Sequence, residues 1–225
     1  MSADGHRSSA MGAAEFSPDS IRLEVEPILR FQRYRSVDQV PPPILEVAVE
    51  MMAVAEKLID PRVCFVRRLV GRLTVDTLTV SGGPTFHGQC LGTHCAGAHE
   101  LVCFLLTIGP ALDDRVAEMT DRNDLLEALF LDTAGWLAIE RTFRAFRACL
   151  ARRLRPSGFR LSPRLGPGYL DWALTEQAAL FSLFEGVRAR STLTEHCVMV
   201  PQKSLSGLFG LIREGRVPGP LTESG

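Results

Sequence analysis

Apolar and polar positions alternate over residues 21–28 (Ile-Arg-Leu-Glu-Val-Glu-Pro-Ile), which predicts an edge strand. After the break at Pro41-Pro42-Pro43, apolar positions at 44, 45, 48, 51, 52 and 55 predict a helix from Ile44 to Ile59. Val63–Val70 and Leu73–Val80 are β-rich and predict two strands joined at Gly71-Arg72, with a turn at Gly82-Gly83-Pro84. Leu101–Ile108 is a nearly unbroken apolar run and reads as a buried central strand. Gly109-Pro110 ends it and opens a helix to about Met119, with Asp113 and Asp114 in the first turn. The longest element runs from about Asn123 to Arg153, with Leu125, Leu129, Trp136, Ile139, Phe143, Phe146 and Leu150 on one stripe, and Pro156-Ser157-Gly158 stops it. A Pro/Gly-interrupted loop at 160–169, a short amphipathic helix at 175–184 and β-like segments at 194–200 and 205–212 complete the chain. The expected organisation is one α+β domain over 21–213, with a tail at 1–20 and another at 214–225.

Composition narrows the function classes. At 225 residues, 46% hydrophobic and with a net charge of −1, the chain has the makings of a sizeable core and no basic face for nucleic acid. No apolar run is long enough for a membrane span, and the N-terminal residues lack a signal-peptide h-region, so a cytoplasmic location is expected. Six cysteines in a reducing compartment are not a disulfide framework. Within Cys90-Leu-Gly-Thr-His94-Cys95-Ala-Gly-Ala-His99 a zinc site can be drawn, but paired thiolates are missing. The commoner reading is a short helix feeding a strand, and no metal is assigned. Two residue types are scarce. Of 25 basic residues only Lys57 and Lys203 are lysine, and the only tyrosines are Tyr34 and Tyr169.

Three segments carry candidate chemistry. On the long helix, Asp132 and Glu140 flank Trp136 at four-residue spacing, and a carboxylate there needs a partner. Glu140 either pairs with Arg144 at i,i+4 or points at a cationic ligand, and spacing alone favours the pair. In Arg164-Leu-Gly-Pro-Gly-Tyr169-Leu-Asp-Trp172, Gly166 and Gly168 flank a proline, so the backbone can make an unusual turn against a flat heterocycle. An ordinary structural turn is as good a reading. Arg164 can hold a carboxylate with two parallel hydrogen bonds, and Tyr169 adds a ring and a hydroxyl. The third segment, Leu193 to Gly207, clusters polar residues around Pro201 between two apolar runs. No catalytic nucleophile–base pair can be assigned in it.

In order along the chain, Thr107-Ile-Gly-Pro110, Leu131-Asp132 to Glu140, Pro-Gly-Tyr169-x-Asp-Trp172 with Glu176-Gln177, and Leu193-Thr-Glu195 to Met199-x-Pro201-x-x-Ser204-x-Ser206-Gly207 resemble the activation (S-adenosylmethionine-binding) domain of cobalamin-dependent methionine synthase, especially its freestanding relatives. The resemblance implies a curved, mainly antiparallel sheet with long helices. It implies an accessory role in reductive methylation, the step that returns an oxidised cobalamin enzyme to activity with S-adenosylmethionine and a flavodoxin-like electron donor. It also implies ligand roles: Arg164 for the carboxylate, the backbone at Gly166 and Gly168 for adenine, Glu140 for the amino group, and Tyr169 facing the corrin. With it, the ligand role of Glu140 leads.

The chain departs from the family where Leu165-Gly166 stands for Pro-Ala and Leu170-Asp171-Trp172 follows the tyrosine. The Asp-x-His-x-x-Gly signature of a cobalamin module is missing, so cobalamin is expected on a partner: a corrinoid protein or cobalamin-dependent methyltransferase. The rival readings are a freestanding methyl- or thiol-transfer enzyme using the same pocket with Cys197, and a metal-sensing or structural protein built around Cys90–His99.

Overall fold

A computed structural model describes residues 13–215. Its centre is an antiparallel sheet built on three long strands. The strands, in chain order, are β1 (Ala14–Phe16), β2 (Arg62–Leu73), β3 (Thr77–Val80), β4 (Thr85–His87), β5 (Ala98–Thr107), β6 (Phe159–Leu161) and, after a separate hairpin of β7 (Thr192–Leu193) and β8 (Met199–Val200), β9 (Ser204–Arg213). The spatial order is β4-β3-β2-β5-β9-β6, with β1 pairing the first half of β2. The helices are α1 (Val25–Phe31), α2 (Pro42–Leu58), α3 (Gln89–Cys95), α4 (Ala111–Asp121), α5 (Leu125–Leu154) and α6 (Gln177–Ser182).

Side chains alternate between sheet faces, and both faces are covered. Phe65, Val102, Phe104, Leu106 and Phe209 pack under α2, α4 and α5, whereas Cys64, Val66, Leu101, Cys103, Leu105 and Leu208 pack with Phe86, Leu91, Trp172 and Leu180 on the other side. Two covered faces explain why Leu101–Ile108 reads as a solid apolar run even though its neighbours are antiparallel. Phe146 of α5 meets Phe16, Phe65 and Phe104 at 5.2–5.7 Å between ring centroids, and Phe143 stacks on Phe209 at 5.9 Å. The end of α5 follows from Pro156 and from Gly158, whose φ of +70° suits the glycine that closes a helix.

Several expectations need correction. Residues 25–31 are a helix, not part of an edge strand: Pro27 sits in its first turn, where a missing N–H costs nothing, and Ile28 and Leu29 turn inward. The edge strand beside β2 is instead Ala14–Phe16, inside the stretch read as tail. Residues 1–12 and 216–225 of the expected tails lie outside the described residues. Gly71 does not turn the chain. It is a bulge within β2, between the pairs Val70↔Val80 and Arg72↔Thr79, and the turn comes at 74–76. The 160–169 loop begins inside β6, because Phe159–Leu161 pairs with the end of β9. Of residues 194–200 only Met199–Val200 is strand. On α5 the buried residues include Phe130, Leu131, Ala134, Ala138, Ile139, Phe146 and Leu150, while Leu125, Leu129 and Trp136 are exposed. The first half of the helix therefore buries a face rotated away from the stripe read in the sequence.

Candidate functional site

A cleft of about 390 Å3 opens between α5, the 164–177 segment and the 197–206 segment. Trp136, Leu174, Val198 and Met199 give it apolar walls, and Arg164, Gln177, Ser204 and Ser206 supply polar groups. That mixture and size fall in the range of small-molecule sites, ~300–1,000 Å3. The Arg164 and Leu193–Gly207 candidate segments line the cleft, together with Trp136 of the long helix.

The Arg164 segment is held backbone to backbone against β9. Leu165 exchanges two hydrogen bonds with Leu208, at 3.1 and 2.8 Å. A Cβ on Gly166 would stand 2.9 Å from the Ser206 carbonyl oxygen, so only glycine lets the segment lie that close. Gly168, at φ +82°, donates to the Trp172 carbonyl at 2.8 Å, and the Tyr169 N–H donates to the Gly166 carbonyl at 3.1 Å. The turn thus uses those groups internally, which the glycine spacing alone did not reveal. Arg164 comes off this rigid base half-buried, its guanidinium 5.8 Å from the Phe143 ring centre and 5.5 Å from that of Tyr169. Burial pushes its pKa below the ordinary arginine value, opposed by Tyr169. Among the described residues no carboxylate pairs with it.

Asp171, Trp172, Glu176 and Gln177 have roles that sequence reading missed. Asp171 Oδ2 and Oδ1 accept the Gln89 and Cys90 N–H groups at 2.5 and 3.0 Å, capping α3 from outside. Buried Trp172 donates through Nε1 to Glu176 Oε2 at 2.7 Å, and the same carboxylate holds His87 through Nδ1 at 2.7 Å and through the backbone N–H at 3.0 Å. Gln177 accepts from Ser206 Oγ and donates to the Cys197 carbonyl, both at 3.2 Å, so it ties the two cleft segments together. Only Glu176 and Gln177 carried a signal, as polar residues at the start of an amphipathic helix; Asp171 and Trp172 lie in the turn before it, where nothing in the chain marks their partners.

The Asp171 tie has a defined pH dependence. The Cys90 thiol, joined by the Cys90 and Gln89 N–H groups, holds the Asp171 carboxyl below its ordinary value. Because the folded value lies below the unfolded one, the tie is fully present above the ordinary carboxylate range and is lost as pH falls through the lowered value. In Asp171→Ala, the protection of the Gln89 and Cys90 amides against exchange, taken relative to their intrinsic rates at the same pH, is expected to fall at neutral pH, whereas in the wild type it should fall only in acid. Equal exchange in both proteins at neutral pH would show that the carboxylate holds nothing.

The other candidates are placed as follows. Glu140 is exposed, bonds Arg144 at 2.5 Å and stands outside the cleft, one turn beyond Trp136. Asp132 has found its partner in Lys203 at 2.5 Å. Tyr169 is exposed beside Arg164. Cys197 lines the cleft but its thiol faces the Thr175 carbonyl at 3.7 Å, and adjacent His196 pairs with Glu195 in solvent, so no nucleophile–base pair forms there. Cys90 and Cys95 are buried, with thiols pushed up to about 11 and about 12, chiefly by desolvation. Among the described residues no group of three or more His, Cys, Asp or Glu is placed to hold a metal ion, and no helix is long and apolar enough to cross a membrane.

No family model matches the chain, and no curated protein matches it. Among solved structures it is similar to the MetH reactivation domain bound to AdoHcy, with a TM-score of 0.59 and 16% sequence identity over 93% of this chain and 81% of that one. At that identity the likeness concerns the fold: an α+β domain with an open, mainly antiparallel sheet and long helices, as expected from the sequence.

Proposed function

We propose that this chain binds S-adenosylmethionine in the cleft and serves as an accessory module for reductive methylation of cobalamin carried by a partner, a corrinoid protein or cobalamin-dependent methyltransferase, with a flavodoxin-like electron donor. The observation that carries the reading is Arg164: a half-buried guanidinium at the cleft wall, 5.8 and 5.5 Å from two ring centres and without a carboxylate of its own among the described residues. Such a group is a ready receptor for the carboxylate of an amino-acid ligand. The similar solved domain was found with AdoHcy, which supports the same ligand class here.

The residues present suit that ligand. Trp136, Leu174 and Val198 offer apolar surface to a nucleoside, and Gln177, Ser204 and Ser206 offer hydrogen bonds. Glu140 meets the ligand's amino group only by leaving Arg144, an exposed pair of small worth. S-adenosylmethionine, when bound, supplies the methyl group, and the chain's task is to hold it with its carboxylate end fixed at Arg164. Titration calorimetry with S-adenosylmethionine and S-adenosylhomocysteine is expected to show micromolar binding of both. No heat with either, alone or with a corrinoid protein added, overturns the proposal.

A further inference from the structure

We infer that Lys203 is a positioning residue of the cleft: its buried ammonium, clamped between α4 and α5, sets the distance between the Trp136 wall and the 202–206 wall. Lys203 is one of two lysines in the chain and is 2% exposed. Its Nζ lies 2.5 Å from Asp132 Oδ1, 3.5 Å from Asp113 Oδ1 and 5.0 Å from the centre of the Trp136 ring. Asp113 Oδ1 is buried and accepts no hydrogen bond among the described residues, so the ammonium is its charge partner.

The backbone of Lys203 is anchored separately. Its N–H donates to Asp113 Oδ2 at 3.2 Å, and its carbonyl accepts the Ile108 N–H at 3.2 Å. The ammonium is therefore an added tie, from the start of β9 across to α5. Gly135 makes room for it and for Leu112, since a Cβ there would stand 2.8 Å from Leu112 Cδ2 and 3.1 Å from Lys203 Cε. Gln202 and Ser204, on either side of Lys203, line the cleft, as does Trp136, one helical turn from Asp132. A lysine with both neighbours on one wall and its charge fixed beneath the other couples the two.

This inference deepens the ligand reading, and its affinity arm rests on that reading, but its spectroscopic arm does not. Trp172 is buried and Trp136 is 44% exposed, so acrylamide quenching of tryptophan emission reports mainly on Trp136. Asp132 is partly exposed, so Asp132→Asn is expected to fold, and Lys203→Met is the stronger variant. Both should raise the quenching constant and shift the emission maximum, and should weaken S-adenosylhomocysteine binding by about tenfold, as expected when a supporting contact slackens. If Lys203→Met does not fold, Asp132→Asn decides. Unchanged quenching and emission in Asp132→Asn and in any folded Lys203→Met overturn the inference, even where the wild type binds no S-adenosylhomocysteine and the ligand proposal has failed by itself.

Discussion

Gly207→Ala is expected to destabilise the protein by about 3 kcal/mol, the upper end for forcing a methyl into a packed site. Gly207 faces Phe104 across the β5–β9 pair, and a Cβ there would fall 2.4 Å from the Leu165 carbonyl oxygen and 3.3 Å from Phe104 Cζ. Neither neighbour can yield cheaply. Phe104 is fully buried in the ring cluster with Phe143, Phe146 and Phe209. The Leu165 carbonyl already accepts the Leu208 N–H at 2.8 Å, and Leu165 donates back to Leu208 at 3.1 Å. Moving Leu165 stretches both bonds, each worth about 1 kcal/mol net. For a chain of this size the midpoint of thermal unfolding should drop by roughly 6–12 °C. The variant should also displace Arg164, the residue before Leu165, so ligand binding should fall with stability. A midpoint within about 2 °C of the wild type would mean that the segment is not pinned as described.

The same contact marks the limit of what the sequence made legible. Elements whose pattern comes from burial alone were readable: the α2 and α5 helices, the β5 run and β9 all appear where periodicity put them. Errors arose where a partner remote in sequence decides. Residues 21–28 alternate over a short window, and only Pro27, in the first turn of the helix Val25–Phe31, tells against a strand there. Gly71 is as good a turn residue as a bulge residue, and the choice depends on the register of β2 with β3. Leu125, Leu129 and Trp136 share a face with Phe143, but α5 packs on α2 and α4 as well as on the sheet, so one stripe cannot describe its whole length.

At the site, residue types were readable and connections were not. Arg164 and Tyr169 were singled out separately in the loop, and the contact between them was not visible in the chain. The Glu140–Arg144 pair is the outcome spacing favoured, while the position of Glu140 outside the cleft was not visible in the chain. Asp132 on an apolar face demanded a partner, and Lys203 is 71 residues away. Both scarce residues singled out in the candidate segments, Tyr169 and Lys203, stand behind a residue that lines the cleft: the first lies beside Arg164, and the second beside Trp136.

The largest functional effect is expected from Arg164→Ala. A charge-assisted hydrogen bond to a carboxylate is worth about 1.5–3 kcal/mol, and a guanidinium can make two in parallel. Desolvation at Arg164 strengthens such bonds, because water competes less for the same donors. Affinity for S-adenosylhomocysteine should therefore fall by roughly 30- to 150-fold, equivalent to about 2–3 kcal/mol. Stability should change far less. The guanidinium loses its contacts with the Phe143 and Tyr169 rings, each worth about 0.5–1 kcal/mol, but the protein also sheds a desolvated cation that pairs with no carboxylate among the described residues. Arg164→Lys keeps the charge but loses the planar fork, so it should recover only part of the affinity. The split between a large binding loss and a small stability loss is what separates a ligand receptor from a structural cation. Unchanged binding in Arg164→Ala would place the carboxylate elsewhere, and an equal collapse of both would make Arg164 part of the fold and not of the site.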